Sequence, residues 1–239
     1  MKGKKIILFI VEGITDQICL GFLLSRILNS NKVEFALTEG DITSKTGINS
    51  NNVPAKIGEI VKKFSGSFFK ANDFAEIVHL VDMDGAYILD EQIVEKTAET
   101  PLDPDKPQKP YYGDNQIFVD NPEAIRQRNH QKTSILNRLI SLQNVWRTIP
   151  YSVYFFSCNL DHIMYGQRNL LKQDKQTCAV QFDRSYGDSP QQFIAFLNTP
   201  EIAAQGNYEE TWDFIRAECN SLKRYTNFNL FFLSPKNPR

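Results

Sequence analysis

Ile6-Ile7-Leu8-Phe9-Ile10-Val11-Glu12-Gly13 decides how the rest of the chain is read. Six consecutive apolar residues, three of them isoleucine and one valine, make a run too short for a helix core and too uniform for a half-exposed strand. A continuous apolar run of this length fits a strand buried on both faces, as in a parallel sheet. Glu12-Gly13 closes it. Thr15 is then placed to cap a helix, and Leu20, Leu23, Leu24, Ile27 and Leu28 follow at helical spacing.

Working outward, Val33 to Leu37 reads as a second strand. Asn51 or Asn52 caps the next helix, whose Ile57, Ile60, Val61 and Phe64 share one face. Ile77 to Val81 is a third strand, ending in Asp82-Met83-Asp84-Gly85. The alternation of strand and helix predicts an α/β, Rossmann-like, mainly parallel sheet flanked by helices. Residues 97–116 carry Pro101, Pro104, Pro107 and Pro110 and read as a long inserted loop. Pro122 opens a polar helix to about Gln143, with an apolar face only in its second half. Val153 to Phe156 lies in a fourth strand, Asn159 caps a helix, and the remainder is mostly helical. Tyr208, Trp212, Ile215, Cys219 and Leu222 form one stripe, and Asn229 to Leu233 is expected as a short last strand. This divides the 239 residues into a domain over 1–170, with an insertion at about 90–145, and a helical C-terminal elaboration over 171–239 on the same core.

Composition narrows the function classes. The apolar fraction is 41% and the charged fraction 23%, which excludes a disordered chain. Net charge is −1, so bulk positive charge does not hold nucleic acid here. The four cysteines are scattered without a C-x-x-C pair, which suggests neither a zinc site nor a disulfide scaffold. The apolar run behind Lys4 and Lys5 ends in an acid, unlike a signal sequence. No stretch approaches the ~20 apolar residues of a membrane span. A cytoplasmic protein that does not engage a membrane is expected.

The positions of the acids carry the chemistry. Ligands of parallel α/β sheets bind outside the carboxyl ends of the strands. Glu12, the pair Asp82 and Asp84, and Asp161 all follow predicted strands, and Asp41 follows the second strand by a few residues. Two carboxylates held together without a cation repel and shift each other's pKa. Mg²⁺ or Mn²⁺ resolves this, taking carboxylate oxygens, water and substrate phosphate. Each such acid also fits a helix cap or a solvated turn. His162 beside Asp161 lies near this edge, whereas His79 reads as a core residue.

Val11-Glu12-Gly13-Ile14-Thr15-Asp16 after a strand resembles the first motif of Toprim domains, and Val81-Asp82-Met83-Asp84-Gly85 resembles their D-x-D motif. Phe155 to Met164, with Asp161, is similar to a later strand-helix element of Toprim nucleases of the overcoming-lysogenization-defect type and their stand-alone phage-defence relatives. The resemblance implies a divalent-metal-dependent nuclease cleaving nucleic acid phosphodiesters. It implies Glu12, Asp82 and Asp84 as catalytic residues, and Glu12, Asp16, Asp82, Asp84 and Asp161 as ligands of Mg²⁺ or Mn²⁺. The larger members carry an ATPase. This chain has no P-loop, so that ATPase is a separate partner protein or absent.

Two other readings stay open. Asp82-x-Asp84 also resembles the first motif of haloacid-dehalogenase-like phosphatases, with Ser157, Lys172 or Lys175 and Gly187-Asp188 imitating the later ones. The chain also fits a non-catalytic effector subunit of a separate ATPase. For nucleic acid, DNA or RNA, the best contact is the polar helix with Arg126, Arg128 and Lys132, because its first half has no apolar stripe to bury. Tyr111 and Tyr112 in the proline-rich loop are expected as loop anchors or base-stacking residues.

Overall fold

The computed structural model describes residues 4–38, 40–146, 148–187 and 189–233. Strand β1 (Ile6–Val11) is buried at every position and is followed by helix α1 (Ile14–Ile27). Strand β2 (Lys32–Leu37), helix α2 (Val53–Ser65) and strand β3 (Phe74–Asp82) complete the first β-α-β-α-β run. The insertion holds three short strands, β4 (Ile93–Glu95), β5 (Tyr111–Tyr112) and β6 (Ile117–Val119), then helix α3 (Pro122–Ile140). A short β7 (Asn144–Val145) leads into β8 (Ile149–Phe156) and the six-residue helix α4 (Leu160–Tyr165). Helices α5 (Lys172–Gly187), α6 (Pro190–Leu197), α7 (Tyr208–Arg216) and α8 (Asn229–Leu233) follow.

The main sheet runs β2-β1-β3-β8-β7. Its pairs β1/β2, β1/β3 and β3/β8 are parallel, and only the edge pair β7/β8 is antiparallel. This is the mostly parallel α/β sheet that the apolar runs predict. Alternate residues of β1 face opposite cores. Ile7, Phe9 and Val11 pack with α1, α4, α5, α6 and α8, while Ile6, Leu8 and Ile10 pack with α2, α3 and α7. The C-terminal helices thus contribute to both faces.

Several local expectations are corrected. The cap of α1 is Gly13 rather than Thr15, and the Asp16 carboxylate accepts the Gly13 N–H at 3.0 Å. The proline-rich stretch is more than a loop: it delivers β5 to the edge of a small sheet ordered β4-β6-β5. That sheet has its own core of Ile93, Tyr112, Ile117 and Val119, closed by Cys158, Cys219 and Leu222. The stripe that begins at Tyr208 therefore divides. Trp212 and Ile215 serve the main core, whereas Cys219 and Leu222 lie beyond the end of α7 and serve the small one. Asn229 to Leu233 is a helical turn rather than a strand. Its Phe231 and Phe232, together with Phe228, stack against one another and Phe231 reaches Phe9.

His79 sits in mid-sheet, buried, with its Nδ1 2.8 Å from the Tyr151 hydroxyl. Burial holds its pKa down to about 4, below the ordinary 6.5. A histidine depressed in the folded state binds fewer protons than in the unfolded chain between those values, so stability is lost as pH falls through that window. By pH 5 the loss from this one group is expected to be roughly 2 kcal/mol. Urea unfolding of wild type and His79→Asn at pH 7.5 and 5 checks it. An equal pH dependence in both proteins would refute the assignment.

Candidate functional site

The acids converge at the carboxyl edge of the sheet. Glu12 directly follows β1 and Asp82 is the last residue of β3, the strand beside it. Both are half-buried. The loop after β2 brings Asp41 to the same edge, anchored where the Gly40 N–H meets the Glu12 carbonyl at 3.2 Å. The strand does not continue through the D-x-D pair, so the two carboxylates do not share a face by alternation. The chain turns at Asp84 (φ 50°) and Gly85 (φ 69°), two successive left-handed residues. A side chain at Gly85 would also strike Leu222 at 2.7 Å and Ile117 at 2.8 Å, so only glycine fits.

Helix α3 holds this turn with one face. Arg128 donates to the Asp84 carbonyl at 2.8 Å and Asn129 to the Gly85 carbonyl at 3.1 Å. One turn on, Lys132 donates to Asp41 Oδ2 at 2.8 Å and to Asp84 Oδ2 at 2.7 Å. The Lys132 side chain is 0% exposed. The small sheet adds Tyr112, whose buried hydroxyl donates to Asp84 Oδ1 at 3.0 Å.

Lys132, expected to contact phosphate, is instead buried between two carboxylates. The first half of α3 does have a stripe to bury, but a polar one: Asn129 and Lys132. Arg126 is engaged by the Asp90 and Ile93 carbonyls, Arg128 by the Asp84 turn, and Lys132 by two carboxylates. Lysines nearer solvent lie elsewhere. Lys45, Lys56 and Lys63 line a cavity of about 500 Å³ next to the Asp41 loop.

Electrostatics divide the acids into two groups. Burial alone would push Asp41 up, but the Lys132 ammonium outweighs it and holds that carboxyl well below its ordinary range. Asp41 and Asp84 in turn overcome the desolvation of Lys132 and keep it firmly protonated. Asp161, buried in α4, is paired with Lys175 of α5 at 2.5 Å. Among the described residues Glu12, Asp82 and Asp16 have no such partner. Burial raises the pKa of Glu12 well above 4.5, and the charges of Asp41 and Asp82 raise it further. Burial raises Asp82 well above 3.8, with Asp84 and Asp16 adding to the effect. Asp82 Oδ1 accepts the Leu160 N–H at 2.8 Å, whereas Glu12 Oε1 is buried with no hydrogen-bond partner. Asp16 is raised by burial against the pull of the Gly13 N–H, and Asp161 raises it further.

All five acids expected as ligands therefore lie at one edge, but not as a preformed cage. Among the described residues no three or more His, Cys, Asp or Glu side chains are grouped to hold a metal ion. Burial brings the pKa of His162 down to about 4; the charges acting on it include Arg168 and Arg224, which lower it further, and Asp114, which raises it. Of the residues that imitate the later phosphatase motifs, Ser157 is fully buried against the Asn220 carbonyl and Lys175 is held by Asp161, while Asp188 lies outside the described residues. Asn129 carries no signal in the sequence, because it acquires its role only through the Gly85 carbonyl 44 residues away.

No protein-family model matches the chain, and neither does any curated protein or solved structure. Among the described residues no helix is long and apolar enough to cross a membrane.

Proposed function

We propose that the chain is a Toprim-like nuclease that cleaves nucleic acid phosphodiesters with the help of Mg²⁺ or Mn²⁺. The observation that carries this reading is the pair Glu12 and Asp82. Two half-buried carboxylates on neighbouring strands disfavour each other's charge, and one of their oxygens has no partner. Such an arrangement gains most from a cation. Two carboxylates, rather than a cage, also suit Mg²⁺, which keeps several waters and leaves positions for phosphate oxygens. When bound, the ion supplies Lewis-acid stabilisation of a phosphoryl group and a more acidic water.

The chain's own residues then have separate tasks. Glu12 and Asp82 would hold the ion. A raised pKa also suits a carboxyl to general acid-base transfer, and Glu12 is the member with an unengaged oxygen. Leu160 fixes the orientation of Asp82 through its N–H. Arg128, Asn129 and Tyr112 fix the Asp84 turn. DNA or RNA as substrate, a defence role and a separate ATPase partner rest on the motif resemblance.

The test is a melting-temperature titration with Mg²⁺ and Mn²⁺ beside cleavage of end-labelled single- and double-stranded DNA and RNA. An ion bound only by the folded state stabilises it, by about 2.7 kcal/mol at a hundred times its Kd. Wild type is expected to show the shift and to cut at least one substrate. A metal-induced shift with no cleavage of any of them would remove the nuclease reading and leave a metal-regulated subunit.

A further inference from the structure

We propose that Lys132 is a built-in cation occupying one of two cation positions at this edge, so that the site takes a single divalent ion through Glu12 and Asp82, with Asp84 outside its ligand set. This rests on the metal reading above, and departs from the motif resemblance, which makes Asp84 a ligand and Asp161 part of a second position.

The geometry is specific. Lys132 reaches into the acid cluster from α3 with a side chain that is 0% exposed. Its ammonium lies 2.8 Å from Asp41 and 2.7 Å from Asp84, bridging the β2 loop to the β3 turn as a metal ion would. Both Asp84 oxygens are engaged, one by Lys132 and one by Tyr112. Both Asp41 oxygens are engaged too, Oδ1 by the Thr43 N–H at 2.8 Å and Oδ2 by Lys132. A divalent ion on Asp84 would stand against a buried ammonium with nowhere to retreat. On the other flank Lys175, a third exposed, pairs with Asp161 alone. Among the described residues Glu12, Asp82 and Asp16 remain without an ion pair; Asp16 is held by the Gly13 N–H, and Glu12 and Asp82, at the ends of adjacent strands, are enough for one hydrated ion.

Manganese alone is the probe. Mn²⁺ titration of the purified chain, followed by electron paramagnetic resonance of the free ion, is expected to give one ion per chain. Asp82→Asn should weaken that binding at least about tenfold, and Asp84→Asn less than about threefold, against the ~10–100-fold losses typical of altered metal shells. Two ions per wild-type chain, or Asp84→Asn losing the ion as Asp82→Asn does, would overturn the proposal. If Asp84→Asn does not fold, the wild-type stoichiometry decides alone. No Mn²⁺ binding by wild type would refute both this inference and the metal reading. One bound ion without nucleic acid cleavage would refute only the nuclease.

Discussion

Asp82→Asn is expected to lower metal-dependent cleavage by at least about a hundredfold, the scale seen when one electrostatic stabiliser of a transition state is removed. The same change is expected to leave the melting temperature unchanged or higher. The two halves have one cause. Asp82 has a folded-state pKa raised well above 3.8 by burial and by Asp84 and Asp16. An acid raised in the folded state binds more protons there than in the unfolded chain, so its ionisation costs stability as pH rises above the ordinary value. Asn supplies the neutral form permanently and keeps an oxygen to accept the Leu160 N–H. The ion that would offset the charge loses its ligand in the same step. Glu12→Gln should behave alike. Turnover and thermal melts on the same preparations check it. Wild-type cleavage by Asp82→Asn, or a fall in melting temperature beyond about 4 °C, equivalent to roughly 1–2 kcal/mol at this chain length, would count against the site.

Lys132→Met should do the opposite, destabilising the fold strongly before any question of activity arises. It leaves Asp41 and Asp84 facing each other without their shared cation. Removing one partner of a buried ion pair costs about 3–5 kcal/mol, because an uncompensated charge stays behind. At this size that is a drop of roughly 6–20 °C in melting temperature. An exposed phosphate-contacting lysine would instead change stability by less than about 0.5 kcal/mol. Adding Asp41→Asn and Asp84→Asn to Lys132→Met should recover most of the loss, since a buried ion network replaced by neutral groups of similar volume is often no less stable. Urea unfolding of the single and triple variants separates these cases. A single variant as stable as wild type would mean that the ammonium is not buried in solution.

The acids that the motif resemblance singles out lie at one edge of the sheet, and the lysines beside them differ from one acid to the next. Under the proposed function Glu12 and Asp82 would keep the roles that the two motifs imply. Asp84 and Asp161, which look equivalent to them in sequence, are already neutralised by Lys132 and Lys175. Two lysines on separate helices thus leave Glu12, Asp82 and Asp16 as the acids of this edge without an ion pair among the described residues.

The sequence by itself determined the sheet and the location of the acids. An all-buried β1 and the helical spacing of Leu20, Leu23 and Leu24 are local patterns, because burial on one face or both imposes a period that the chain must carry. Glu12 and Asp82 are placed by the strands they end, so their meeting follows once β1 and β3 pair. The fate of α3 was decided only in three dimensions. Lys132 lies 91 residues from Asp41 and 48 from Asp84, and nothing near it in the chain distinguishes it from a solvated lysine. The same is true of Asn229 to Leu233, where one turn of helix and a short strand carry the same apolar residues and only packing against Phe9 and Phe228 selects the helix. Hydrophobic periodicity is written along the chain, whereas the desolvation and pairing of a charge depend on which distant groups the fold sets beside it.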